Sequence, residues 1–74
     1  MADSQIRFGR KLKIARVSAD LRQSDLAELA GIDQTYISLL ERGKRENPTL
    51  KTIEALAAAL GCAVEDLMPD KAAA

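Results

Sequence analysis

The segment RQSDLAELAGIDQTYISLLERGK, residues 22–44, decides the fold. In its first half Leu26, Ala27 and Ala30 recur at offsets that put apolar side chains on one stripe of a 3.6-residue helix. Gly31 ends that pattern, because glycine takes the left-handed conformation after a helix without steric cost and lets the chain turn sharply. Asp33 then offers an N-cap for a second helix, and Ile32 before it can pack on Ile37 as a hydrophobic staple. The inner face of this second helix is Ile37, Leu40 and Glu41. Thr35, Ser38, Leu39 and Arg42 fall on the opposite side, with Gln34 flanking them at the helix start and Gly43 closing the helix. The layout fits a helix-turn-helix, although two helices joined by a short turn also occur in many bundles.

The rest of the chain supplies three more helical patterns and no strand pattern. A first helix is expected to start at Ser4, carry Phe8, Leu12 and Ala15 on one face, and end near Asp20. A fourth has Thr49 as N-cap after Pro48, presents Leu50, Ile53, Leu56, Ala57 and Leu60, and stops at Gly61. A fifth, of one or two turns around Val64, Leu67 and Met68, is halted by Pro69. The apolar content is Ala, Leu and Ile with few aromatics, which favours helix over sheet. The expected fold is therefore all-α, a compact five-helix single domain over residues 1–74, with an ordered core at about 4–69 and a short flexible tail at 70–74.

The wider spacing is more specific than the helices themselves. Phe8-Gly9, Leu12 and Arg16 lie upstream; then come Gln23, Leu26-Ala27, Gly31-Ile32, Ile37-Ser38, Glu41-Arg42-Gly43-Lys44, Pro48, and Ala57 to Leu60-Gly61. In that order and without a gap, the set resembles the Xre/Cro family of phage-repressor-like helix-turn-helix DNA-binding domains over about residues 5–68. Within it, DQTYIS followed by ERGKR and NPTL is most similar to the small controller proteins of restriction-modification systems. The resemblance implies a sequence-specific transcriptional regulator that binds a pseudo-palindromic double-stranded DNA operator as a homodimer, with the third helix in the major groove.

A net charge of zero argues at first against a nucleic-acid partner. Its distribution answers the objection. Residues 1–23 hold six basic and two acidic side chains, 24–41 four acids and no base, 42–51 four bases and one acid, and 52–74 one base and four acids. Positive charge thus gathers on the first helix with the start of the second, and after the third. The resemblance places these regions beside the groove, touching phosphates. Arg22, Gln23, Tyr36, Arg42, Lys44 and Arg45 are the phosphate candidates. Gln23 opens the second helix, whose exposed N–H groups favour an anion. The resemblance adds that it braces Gln34. Arg22 stands where the family has a Ser or Thr cap, and either contacts phosphate or is a tolerated surface residue. Tyr36 lies between faces, where its hydroxyl could reach a phosphate or its ring could pack half-buried on Leu40.

For base readout, Gln34 can pair with adenine N6 and N7, Thr35 and Ser38 can bond several base edges, and Thr35 or Leu39 can pack on a thymine methyl. Arg16 and Glu41 follow Ala15 and Leu40 on inward-facing stripes, so both charges point inward unless they pair. The resemblance implies a partly buried ion pair between them, with a structural role. It also implies that Asp20, where the family prefers Gly, is left-handed, and that the region after the fourth helix lies near a dimer axis. Ala63, Val64, Leu67 and Met68 are the expected interface, since they look least needed by a monomer core.

The absence of His, the single Cys62 and the lack of a nucleophile constellation or phosphate loop speak against an enzyme, a zinc site or a cofactor. No small-molecule ligand is evident. No apolar run approaches the length that spans a bilayer and no signal segment opens the chain, so a cytoplasmic, non-membrane protein is expected. The alternative is a protein-interaction or antitoxin-type module that retains the fold, with Ile14 and Val17 of the first helix as its partner patch.

Overall fold

The computed structural model of the chain describes residues 7–45 and 48–68. Within them four α-helices follow one another, α1 Phe8–Ser18, α2 Gln23–Ala30, α3 Gln34–Glu41 and α4 Leu50–Leu60, and a 3-10 turn at Val64–Asp66 comes last. The described residues contain no strand. The all-α expectation holds, but the expected fifth helix is only this single turn. Its bonds run from the N–H of Asp66, Leu67 and Met68 to the carbonyls of Ala63, Val64 and Glu65, each three residues back. Pro69, next in sequence, biases Met68 away from continuing helix. α1 is also shorter than expected. It begins at Phe8, after an extended Arg7 whose side chain makes no cap bond; the expected start at Ser4 lies outside the described residues.

The helix boundaries have local causes. Asp33 accepts the N–H of Thr35 at 2.9 Å, and Thr49 Oγ1 accepts the N–H of Thr52 at 3.1 Å, so both expected N-caps are made. Gly31 has φ 69° after α2, the left-handed geometry the turn requires. After α1 the same geometry falls on Asp20, φ 62°, a residue type that tolerates it better than most.

Every helix sends a side chain to one core. Leu12 of α1, Leu26 of α2, Ile37 and Leu40 of α3, and Leu56 of α4 are fully buried, and so is Leu67 beyond the 3-10 turn. Each such burial contributes about 1.5–3 kcal/mol relative to exposure. Leu67 therefore corrects one expectation: it seals the open end of the monomer core and is not available to a second copy. Val64 also packs against the core, while Ala63 and Met68 remain exposed. Cys62 is half-buried against the same cluster, and burial, with Asp66 nearby, pushes its thiol pKa up. It behaves there as a small hydrophobe.

Candidate nucleic-acid interface

α2, the Gly31 turn and α3 form one continuous unit, with Leu26, Ala27, Ile37 and Leu40 on its buried side. The staple residue Ile32 packs on this core as well. The outward side of α3 is left to Gln34 and Thr35, both exposed, and to Ser38 and Leu39, both half-buried. These four residues share one face, as their spacing predicts. Leu39 is less exposed than expected of a free surface leucine. The backbone after α3 folds back beside it: the N–H groups of Lys44 and Arg45 donate to the Leu39 carbonyl at 2.9 and 3.2 Å.

Cations stand at both ends of this face. Arg42, Lys44 and Arg45 are exposed just beyond α3. The Arg45 guanidinium lies over the Tyr36 ring, 5.5 Å from its centroid, and Tyr36 is half-buried against the core. The packing role left open for Tyr36 is thus present, and the ring supports a cation as well.

At the other end, Arg22 precedes α2. Its guanidinium pairs with Asp25, Nε to Oδ2 at 3.1 Å, and its backbone N–H donates to the same oxygen at 2.9 Å. An arginine side chain has no acceptor, so Arg22 cannot cap the helix through its own side chain. The carboxylate of Asp25 supplies the reverse half of a capping box instead. The hydrogen bond from the Arg22 side chain, then that from its N–H, holds the Asp25 carboxyl below the usual carboxylate range. The pairing was legible as R-x-x-D at the start of a helix, and the sequence reading missed it.

Behind the exposed face lies a polar cluster that fixes three helices against one another. Arg16 of α1 donates Nε to Glu41 Oε2 at 2.7 Å and a second guanidinium N–H to Oε1 at 3.0 Å. Its remaining nitrogen donates to the carbonyl of Leu21 at 2.8 Å, in the link between α1 and α2. Gln23, the first residue of α2, donates Nε2 to Glu41 Oε1 at 3.0 Å. The amide expected to brace Gln34 is therefore bonded to the far end of α3. The Arg16 and Glu41 side chains keep only 11% and 2% of their exposure, so this bidentate pair is largely shielded from water. Its hydrogen bond to Glu41 raises the Arg16 pKa further above neutrality.

A second contact sets how closely α1 approaches. Gly9 is buried, and a Cβ there would overlap the Leu40 carbonyl oxygen while lying 3.1 Å from its carbon and 3.2 Å from the Glu41 carbonyl oxygen. Gly9 and Arg16 are seven residues apart, two turns on the same side of α1, so both meet the C-terminal end of α3. The arrangement is a rigid mount for an exposed polar helix face with positive charge beside it.

Comparison with known proteins agrees with this geometry. A helix-turn-helix family model matches residues 12–67. Control protein C.MunI of a Mycoplasma species is 41% identical over 71 residues, which are 95% of this chain and 95% of that protein. The crystal structure of the restriction-modification controller protein C.AhdI from Aeromonas hydrophila superimposes with a TM-score of 0.78 at 39% identity, over 82% of this chain and 91% of that one. SinR, a master regulator for biofilm formation solved in complex with DNA, superimposes with a TM-score of 0.79 at 33% identity, over 81% and 95%. Other curated regulators that match are longer, the chain spanning 53% and 58% of two of them.

Proposed function

The chain belongs to the helix-turn-helix family of DNA-binding transcriptional regulators, and we propose that it is a sequence-specific regulator binding a pseudo-palindromic operator as a homodimer, with α3 in the major groove. The observation that carries this reading is the outward face of α3. Gln34, Thr35, Ser38 and Leu39 are excluded from the core, and all can contact base edges or a thymine methyl. Arg22, Gln23, Tyr36, Arg42, Lys44 and Arg45 would hold the flanking phosphates, which fix register without reading sequence. No described helix is long and apolar enough to cross a membrane.

The test separates reading from holding. Gln34→Ala is expected to lose about 1–3 kcal/mol on the preferred site and to flatten preference at one base position. Lys44→Ala is expected to weaken every sequence alike and to reduce the salt slope by about one. Binding isotherms on a panel of single-base variants, at two or more salt concentrations, distinguish the two. Equal weakening of all sequences by Gln34→Ala would make Gln34 a positioning residue only.

One recognition helix covers too few base pairs to find an operator among a genome's competing sites, so two copies should bind half-sites about 34 Å apart. With Leu67 in the core, the proposed two-fold contact reduces to Ala63, Met68 and the outer edge of Val64. Met68 is 40% exposed, so Met68→Asp should leave a folded chain. Sedimentation is expected to show that variant monomeric, with operator affinity at least about tenfold weaker. A Met68→Asp protein that still dimerises would move the interface elsewhere.

A further inference from the structure

We propose that the outer face of α1 is a docking groove for an acidic amphipathic helix of a partner protein. Arg10, Lys13, Ile14 and Val17 recur at offsets of three, four and seven, forming one stripe of α1 on the side away from the buried Leu12. Ile14 is 50% exposed and Val17 58%. Both are β-branched and gain nothing in helix propensity over polar residues, so local structure does not account for them on an open helix face. Together with Arg10, Lys13, Ser18 and Glu41 they line a groove of about 500 Å³, within the size range of sites that seat a ligand.

Charge selects the occupant. Neither Arg10 nor Lys13 is paired with a carboxylate among the described residues. Glu41, at the groove wall, is already held by Arg16 and Gln23. The groove thus has an aliphatic floor and two free cations one turn toward the helix start. Its complement is a helix with aliphatic anchors on one stripe and carboxylates beside them. A DNA phosphate would use the cations but gain nothing from Ile14 and Val17. A second copy could offer Glu28 and the exposed Leu29 of its own α2. That contact is head-to-tail and would build open chains rather than a closed pair. Arg10 and Lys13 belong to the positive first helix that the family resemblance sets beside DNA, so the test below also reads duplex affinity.

The test uses the full chain and two fluorescein-labelled probe peptides, helix-forming repeats of Leu, Ala and Glu with Leu on one stripe, and the same peptide with Lys for Glu. Fluorescence anisotropy is expected to show the acidic peptide binding at least about tenfold more tightly than the basic one, with the gap narrowing as salt rises. The double variant Ile14→Gln with Val17→Gln should weaken the acidic peptide by about tenfold or more, while circular dichroism and affinity for duplex DNA stay within about twofold of the parent. Equal binding of both peptides, or undiminished binding by the double variant, would overturn the proposal. Parallel loss of DNA affinity would assign the face to DNA instead. Concentration-dependent polymers of the parent that vanish in the double variant would assign it to α2 of another copy.

Discussion

Gly9→Ala is expected to be among the most damaging single-methyl additions possible in this chain, costing about 3 kcal/mol or more where overpacking typically costs 1–3. The reason is what the methyl meets. A Cβ at Gly9 overlaps the backbone carbonyl of Leu40 and crowds that of Glu41, and backbone cannot move aside by changing rotamer. Relief requires α1 to withdraw from α3, which opens the packing of Leu12 against Ile37 and Leu40. On propensity alone the substitution should stabilise the helix by about 1 kcal/mol, so the sign of the effect is diagnostic. Urea denaturation followed by circular dichroism gives that sign. Gly31→Ala is the control: nothing lies within 4 Å of a Cβ there, and only the strain of φ 69° is expected, about 1–2 kcal/mol. A Gly9→Ala chain as stable as the parent would mean that α1 and α3 do not approach this closely.

That contact also shows where sequence reading stops. Periodicity identified the stripes, so Leu12, Leu26, Ile37, Leu40 and Leu56 fell on buried faces, and cap chemistry placed the starts of α3 and α4 at Asp33 and Thr49. These signals are local, decided within one or two turns of helix. Gly9 belongs to none of them, because a glycine demanded by another helix's carbonyl looks the same in sequence as any helical glycine. The closing turn failed for a related reason. Val64, Leu67 and Met68 form an apolar cluster too short to show a period, and which of them turns inward depends on the gap left at the end of α4. The structure gives that gap to Leu67. In the site, the face of α3 was legible because its residues are those the core leaves over. The bond from Gln23 to Glu41 was not, since it joins residues 18 apart whose proximity is set by the angle between α2 and α3.

Arg16→Ala carries the second large effect, and it separates what the polar cluster does for folding from what it does for the exposed face. The substitution strands Glu41, whose side chain retains 2% exposure, with only the Gln23 amide as partner, and leaves the Leu21 carbonyl without its guanidinium donor. Removing one partner of a fully buried pair costs about 3–5 kcal/mol, which is the upper bound for this part-buried one. A chain of this length is expected to hold only about 4–11 kcal/mol in all. Thermal melting should therefore show Arg16→Ala largely unfolded or shifted down steeply. The cost is mostly the penalty of an unpaired buried charge, so the double variant Arg16→Met with Glu41→Leu should recover much of it, as apolar replacements of buried pairs often do. DNA affinity is not expected to recover in step. In the double variant nothing holds the Gln23 amide at the start of α2, and the link at Leu21 has lost its donor, so α3 is packed but no longer registered against the groups that should meet the phosphates. Restored melting with weakened binding to all sequences would identify the cluster as the mount of the recognition helix. Restored melting with fully restored binding would reduce it to a replaceable packing element, and an Arg16→Ala protein with the parent's melting temperature but no DNA affinity would make Arg16 itself a DNA contact.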